Sequence, residues 1–145
     1  ELIDHIDGNT LCEADHLFAT RLWQNNSKVH FDITAREDKK RLVYGGHIIS
    51  LVRALSFNGL ENAQLIVGIN GGTHANPVFA EDTIYCWSEV LDKIDLNVRN
   101  IAALRLRSVG TKEKNHNMRL KSDDGKHLPT IVLDFDYWVL VPKEL

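Results

Sequence analysis

Cysteine is scarce in this chain: Cys12 and Cys86 are the only two, they sit in unrelated segments, and they lack the close spacing of a metal site. That argues against a disulfide framework and for buried thiols in a reducing, cytoplasmic compartment. Charge of one sign is missing as well. Against 20 Asp and Glu stand 17 Lys and Arg, a formal net charge of -3, and the basic residues are scattered, so no nucleic acid and no membrane is expected as a partner. No apolar run is long enough to span a bilayer, and no secretory signal opens the chain. The first residue is Glu1 rather than Met, so a piece of a longer polypeptide is expected. The 7 histidines form no His-x-His or His-Glu-x-x-His arrangement, so no metal is expected. There is no Gly-x-Ser-x-Gly elbow, and Gly71-Gly72 lacks the lysine and following helix that phosphate binding needs. Repeats and low-complexity tracts are absent too.

What is there reads as one globular domain over residues 1–145, 43% hydrophobic and 26% charged, large enough for a real core. Its organising stretch is 45–59. Ile48, Ile49, Leu51, Val52, Ala54, Leu55 and Phe57 leave almost no polar face, which predicts a helix over about 46–58 inside the domain. Asn58-Gly59 supplies a left-handed stop at its end. Gly45-Gly46 at its start admits two readings: an approachable helix N-terminus that can hold developing negative charge, or small residues that let helix and sheet pack closely.

Before that helix, Glu1 to Asn9 reads as irregular. Thr10-Leu11-Cys12-Glu13 has the form of a capping box and predicts a helix from about Leu11 to Trp23. Ala14, Leu17, Phe18, Leu22 and Trp23 would form its apolar face, with Glu13, Asp15 and Arg21 toward water. Residues 24–27 are turn chemistry, and 34–41 is a solvated charge run. Beyond the central helix the period changes to two. A short strand is predicted over 63–69, then a loop through Gly71-Gly72 to Pro77, then long strands over 83–92, 101–112 and 130–141. The last puts Asp134, Asp136 and Trp138 on one face and Leu133, Phe135, Tyr137 and Val139 on the other. Residues 113–128 read as an exposed connection. One buried helix followed by alternating strands predicts an α+β, hot-dog-like architecture, an antiparallel curved sheet wrapped around a central buried helix. Such a sheet has edges that need covering, so a dimer is expected.

Among residues able to carry chemistry, His30 stands out. It follows a turn, has Asn25 and Asp32 beside it, and lies just upstream of the glycine-lined helix start. Imidazole can take and give a proton near neutrality, so His30 could activate a water, with Asp32 sharing its face in a strand and Asn25 orienting the ring. The plainer reading is a surface or capping histidine.

Four segments then fall into a familiar order. Residues 8–16 (GNTLCEADH), 25–32 (NNSKVHFD), 44–47 (YGGH) and 76–84 (NPVFAEDTI) resemble the landmarks of the MaoC-like hot-dog dehydratases across most of the chain. More narrowly, 21–31, 42–60 and 87–93 look like the mesaconyl-CoA hydratase (β-methylmalyl-CoA dehydratase) branch, in which such a segment is one of two hot-dog modules. The resemblance implies a hydro-lyase acting on an enoyl-CoA thioester, with a homodimer or a second hot-dog module as partner and no cofactor beyond the CoA of the substrate. It implies His30, Asn25 and Asp32 as catalytic residues, and Tyr44, Gly45, Gly46 and His47 around the thioester oxygen. Arg53 and Arg21 are candidate cations for a substrate carboxylate. Departures are visible: Asn25 stands where the family has Asp, Ser27-Lys28 replaces Asn-Pro, and Thr73-His74 replaces Arg-Phe. An acyl-CoA thioesterase and a non-catalytic partner half remain as alternatives.

Overall fold

The computed structural model describes residues 1–63 and 65–143. In chain order they form β1 (Leu2–Thr10), α1 (Glu13–Leu22), a 3-10 turn (Lys28–His30), α2 (Gly45–Leu55), α3 (Phe57–Leu60), β2 (Leu65–Thr73), β3 (Thr83–Val98), β4 (Ile101–Thr111) and β5 (Ile131–Pro142). The strands make one sheet in the order β1-β3-β4-β5-β2 with every neighbour antiparallel. This is the α+β hot-dog arrangement, with α2 lying on one sheet face against β1, β3, β4 and β5.

Alternation builds the core. Leu133, Phe135, Tyr137 and Val139 of β5, Leu106 of β4, and Ile84 and Cys86 of β3 pack with Ile48 and Val52 of α2. Val52 can come this close because β4 has Gly110 below it: a Cβ there would lie 2.8 Å from Val52 Cγ2. Burial raises the Cys86 thiol pKa well above its ordinary value, so this cysteine is an inert core residue. Helix α2 ends at Leu55, short of the expected 58, and the left-handed residue expected as its stop, Gly59 at φ +96, lies in the short α3 that follows. Its packing is less complete than expected, however. Ile48 and Val52 are buried and Ile49, Leu51 and Leu55 are partly covered, while Ala54 and Phe57 face outward, because a single sheet covers one side only.

Four other expectations are corrected. Residues 2–10 are an edge strand that pairs with β3 through a register shift between Asp4 and Gly8. The capping box does not form: Thr10 ends β1 and its hydroxyl pairs with that of Thr83, while Glu13 binds Arg41 and His16. Helix α1 buries His16 and Thr20 instead, leaving Phe18, Leu22 and Trp23 exposed. Gly71 and Gly72 are inside β2, opposite Asp136 and Phe135 of β5, rather than in a loop. Residue 64 of the strand expected over 63–69 lies outside the described residues.

Candidate functional site

At the N-terminal end of α2 opens a cleft of about 680 Å³, and the loops on its rim are tied to one another by backbone hydrogen bonds. Helix α1 stops at Trp23, Gln24 reverses the chain at φ +53, and the Asn25 N–H returns to the Thr20 carbonyl at 3.0 Å. The Asn25 side-chain oxygen then accepts the Ser27 N–H at 2.9 Å, a side-chain turn that leads into the 3-10 turn ending at His30. Residues 31–41, a charged loop, separate His30 from Leu42, yet the ends of that loop are joined twice. The Leu42 N–H donates to the Val29 carbonyl at 2.9 Å, and His30 Nδ1 lies 2.8 Å from the Leu42 carbonyl. Val43 is held in turn by the Val78 carbonyl at 2.8 Å.

That ring contact determines what His30 can do. A carbonyl oxygen only accepts, so Nδ1 carries the proton and Nε2 keeps the lone pair. A histidine fixed this way presents a base. His30 lines the cleft together with Asn25, Tyr44, Gly45 and Gly46, and the Tyr44 ring meets the imidazole edge-on at 5.9 Å between centroids. Asn25, with its oxygen engaged, has its Nδ2 donors left for a ligand or a water. The first N–H groups of α2 have no partner within the helix, and its positive end opens on the same space. Among the described residues, no carboxylate, lysine or arginine lines the cleft.

Two expected site residues are elsewhere. Asp32 is not in a strand with His30; its carboxylate accepts the Thr34 hydroxyl at 2.7 Å and the Thr34 N–H at 2.9 Å, and these two bonds hold its pKa down. It closes a turn on the far side of the 3-10 segment and does not line the cleft. His47, the third residue of α2, does not line the cleft; burial lowers its pKa and His16 lowers it further. The two arginine candidates are also outside. Arg53 donates to Ser56, Tyr137 and the Ala63 carbonyl, and Arg21 is on the exposed side of α1.

His74 lines the cleft and carries no role in the reading from sequence beyond marking a departure from the family pattern. The signal was hidden because the glycines before it read as a loop, whereas β2 runs through them to Thr73 and delivers His74 to the rim. Among the described residues no group of three or more His, Cys, Asp or Glu could hold a metal ion.

No protein-family model matches the chain. It is 58% identical over 143 residues to the mesaconyl-CoA hydratase of Cereibacter sphaeroides, a match covering 99% of this chain and 42% of that protein. It is 53% identical over 148 residues to the β-methylmalyl-CoA dehydratase of Chloroflexus aurantiacus, again 99% of this chain and 42% of the relative. A solved structure from Chloroflexus aurantiacus, described as a MaoC domain protein dehydratase, superposes with a TM-score of 0.95 at 50% identity over 100% of this chain and 43% of that one. A Mycobacterium tuberculosis protein with a double hot-dog fold has a TM-score of 0.71 at 15% identity, which speaks to fold alone. The chain thus spans less than half the length of the curated relatives it matches.

Proposed function

We propose that this chain, which belongs to the MaoC-like hot-dog family, is the hydro-lyase module of an enzyme that adds water across, or removes it to form, the double bond of an enoyl-CoA thioester. The observation that carries the reading is the His30 tautomer: Nδ1 donates to Leu42, so a lone pair at Nε2 shares one cleft with the open N-terminus of α2. Hydration needs a base for water, donors for the enolate oxygen that develops on the thioester, and a proton for the α-carbon. His30 takes the proton from water and returns it to the α-carbon. The N–H groups of Gly45 and Gly46, strengthened by the helix dipole, hold the thioester oxygen. Asn25 cannot accept a proton, so it orients the water or the substrate.

Identity of 58% and 53% to two relatives named for C4-branched acyl-CoA substrates supports mesaconyl-CoA/β-methylmalyl-CoA as the substrate pair. The cofactor requirement is then nothing beyond the CoA of the substrate. A second hot-dog module, from another copy or from further chain, is the partner that fits an edge strand with Leu65, Val67 and Ile69 exposed. Among the described residues no helix is long and apolar enough to cross a membrane, and a cytoplasmic location suits a CoA thioester.

One observation favours a second reading. With Asn25 in place of a carboxylate and no cation on the cleft wall, this module could be the non-catalytic half of a pair. A thioesterase is less well supported, since no Asp or Glu lines the cleft to direct water at the carbonyl. Incubating the protein and its His30→Ala variant with mesaconyl-CoA and crotonyl-CoA, while following enoyl absorbance and free thiol separately, tests all three. Loss of enoyl absorbance without thiol release, abolished by His30→Ala, is expected. Near wild-type hydration by a folded His30→Ala protein would select the partner-half reading.

A further inference from the structure

His74 is the second imidazole of the cleft, and its placement differs from that of His30. Its backbone is held rigidly: Ala75 N–H donates to the Val132 carbonyl at 3.1 Å, and the Asn76 side-chain amide clamps the carbonyls of Leu128 and Ile131 at 3.1 and 2.7 Å. The ring edge abuts the first residue of α2. A Cβ on Gly45 would lie 2.5 Å from His74 Nε2 and 2.7 Å from its Cε1, so only glycine leaves that notch open. Among the described residues the ring makes no ion pair and no side-chain hydrogen bond, although it reaches the cleft. The atoms packed about it lower its pKa, and the positive end of α2 disfavours an imidazolium there as well, so the ring is neutral at physiological pH. A neutral imidazole has one N–H to give.

We propose that His74 is a catalytic residue of the reaction proposed above: a neutral hydrogen-bond donor to the thioester oxygen, acting beside the N-terminus of α2. The proposal rests on that reading for its substrate and extends it by dividing the work between the two imidazoles. In hydration, His30 Nε2 removes a proton from water as the water oxygen bonds to the β-carbon. The π electrons of the double bond move onto the thioester, and His30 gives the proton back to the α-carbon. His74 gains and loses no proton. Its N–H bond to the oxygen shortens as negative charge collects there, which is why the interaction favours the transition state over the bound substrate.

The test uses the intact protein and the variants His74→Phe, which removes the donor, and His74→Gln, which retains one. His74→Phe is expected to lower kcat by about 10²- to 10³-fold with little change in KM, and His74→Gln to recover part of the loss. The second readout is spectroscopic and needs no turnover. Polarising a conjugated thioester carbonyl moves its absorbance to longer wavelength, so mesaconyl-CoA bound to the His30→Ala protein is expected to show a red shift that disappears in the His30→Ala/His74→Phe protein. Circular dichroism confirms that each variant folds. An unchanged red shift in the double variant, or wild-type kcat in a folded His74→Phe protein, overturns the donor role while leaving hydration by His30 standing. A protein that binds mesaconyl-CoA with a His74-dependent shift but never hydrates it overturns the proposed function and leaves the donor role intact.

Discussion

Two imidazoles in one cleft, His30 and His74, are told apart by a single hydrogen bond, and the residues around them follow from that distinction. Replacing His30 by Ala removes the proposed general base and is expected to lower kcat by about 10²- to 10⁴-fold. Asn25→Ala should have a smaller effect, since an amide contributes orientation only, and Asn25→Asp should restore what the loss of a carboxylate has cost; steady-state rates on mesaconyl-CoA rank the three. Gly45→Ala is a sharper probe. Its methyl would meet the His74 ring at 2.5 Å, and because a side chain can swing where backbone cannot, the protein should fold with His74 displaced. Crystallography would show the ring moved and kinetics a fall in kcat, whereas full activity would mean that the notch is irrelevant. His30 could be found in the sequence because its segment resembles a family landmark. His74 could not, because its position depends on a glycine-bearing strand continuing further than composition suggests. Asp32 was expected beside His30 because two residues along a strand share a face, but the chain there turns through a 3-10 segment, where they do not.

At the scale of elements, a polar chain runs through the interior and ties β1, β3, β4, β5 and α2 together. Arg53 donates to the Tyr137 hydroxyl at 3.4 Å, Tyr137 pairs with Ser108 at 2.8 Å, Ser108 with Ser88 at 2.8 Å, and Ser88 with His5 Nε2 at 2.8 Å, while His5 Nδ1 meets the Asn58 carbonyl. The Asn58 carbonyl can only accept, so His5 Nδ1 carries a proton, and with the ring neutral Nε2 accepts from the Ser88 hydroxyl. Burial also lowers the pKa of His5, as it does for His47 and His74. The unfolded chain therefore binds more protons than the folded one once pH drops below about 6.5, and stability is present above that value and lost as pH falls through the depressed folded values. Urea midpoints measured between pH 7.5 and pH 5 should decline, and the decline should flatten when His5 is replaced by Gln; a flat wild-type profile would contradict this. Gly110 gives a second element-scale test. Gly110→Ala should destabilise the protein by about 1–3 kcal/mol through overpacking against Val52, and adding Val52→Ala should recover part of that loss by removing the clashing methyl, read from denaturant midpoints. The long central strands were legible because period-two alternation survives any tertiary context. Strand β1 was not, since an edge carrying Asp4, Asp7 and Gly8 has little alternation to show, and α1 deceived because its Phe18, Leu22 and Trp23 face outward while His16 and Thr20 are buried.

For the whole molecule, the exposed apolar side chains and the uncharged cleft both bear on the proposed second module. Leu65, Val67 and Ile69 of edge strand β2 are 58%, 53% and 64% exposed, and full burial of such a side chain is worth roughly 1.5–3 kcal/mol. A second module laid on this edge would continue the sheet and cover them, and Val67→Lys should then shift sedimentation toward the single chain. CoA bears a diphosphate and a ribose phosphate, and anions of that density are held by Lys and Arg, yet among the described residues no Lys or Arg lines the cleft. On the proposed function, the charged end of a CoA ester would extend beyond this chain's cleft and meet its cations in the proposed assembly. That leads to a prediction about recognition: the isolated chain should bind a mesaconyl thioester of pantetheine about as tightly as mesaconyl-CoA, because the two differ only in the nucleotide part that the cleft does not contact. The assembled protein should prefer the CoA ester by at least about tenfold, since a single well-placed phosphate contact contributes roughly 1.4 kcal/mol or more, and salt should erode the preference in the assembly but leave the isolated chain's affinities unchanged. Titration calorimetry on both ligands at two ionic strengths reads all four affinities. A strong, salt-sensitive preference for CoA in the isolated chain would show that the basic loop over 36–41 reaches the nucleotide by itself, and the cleft would then be complete without a second module.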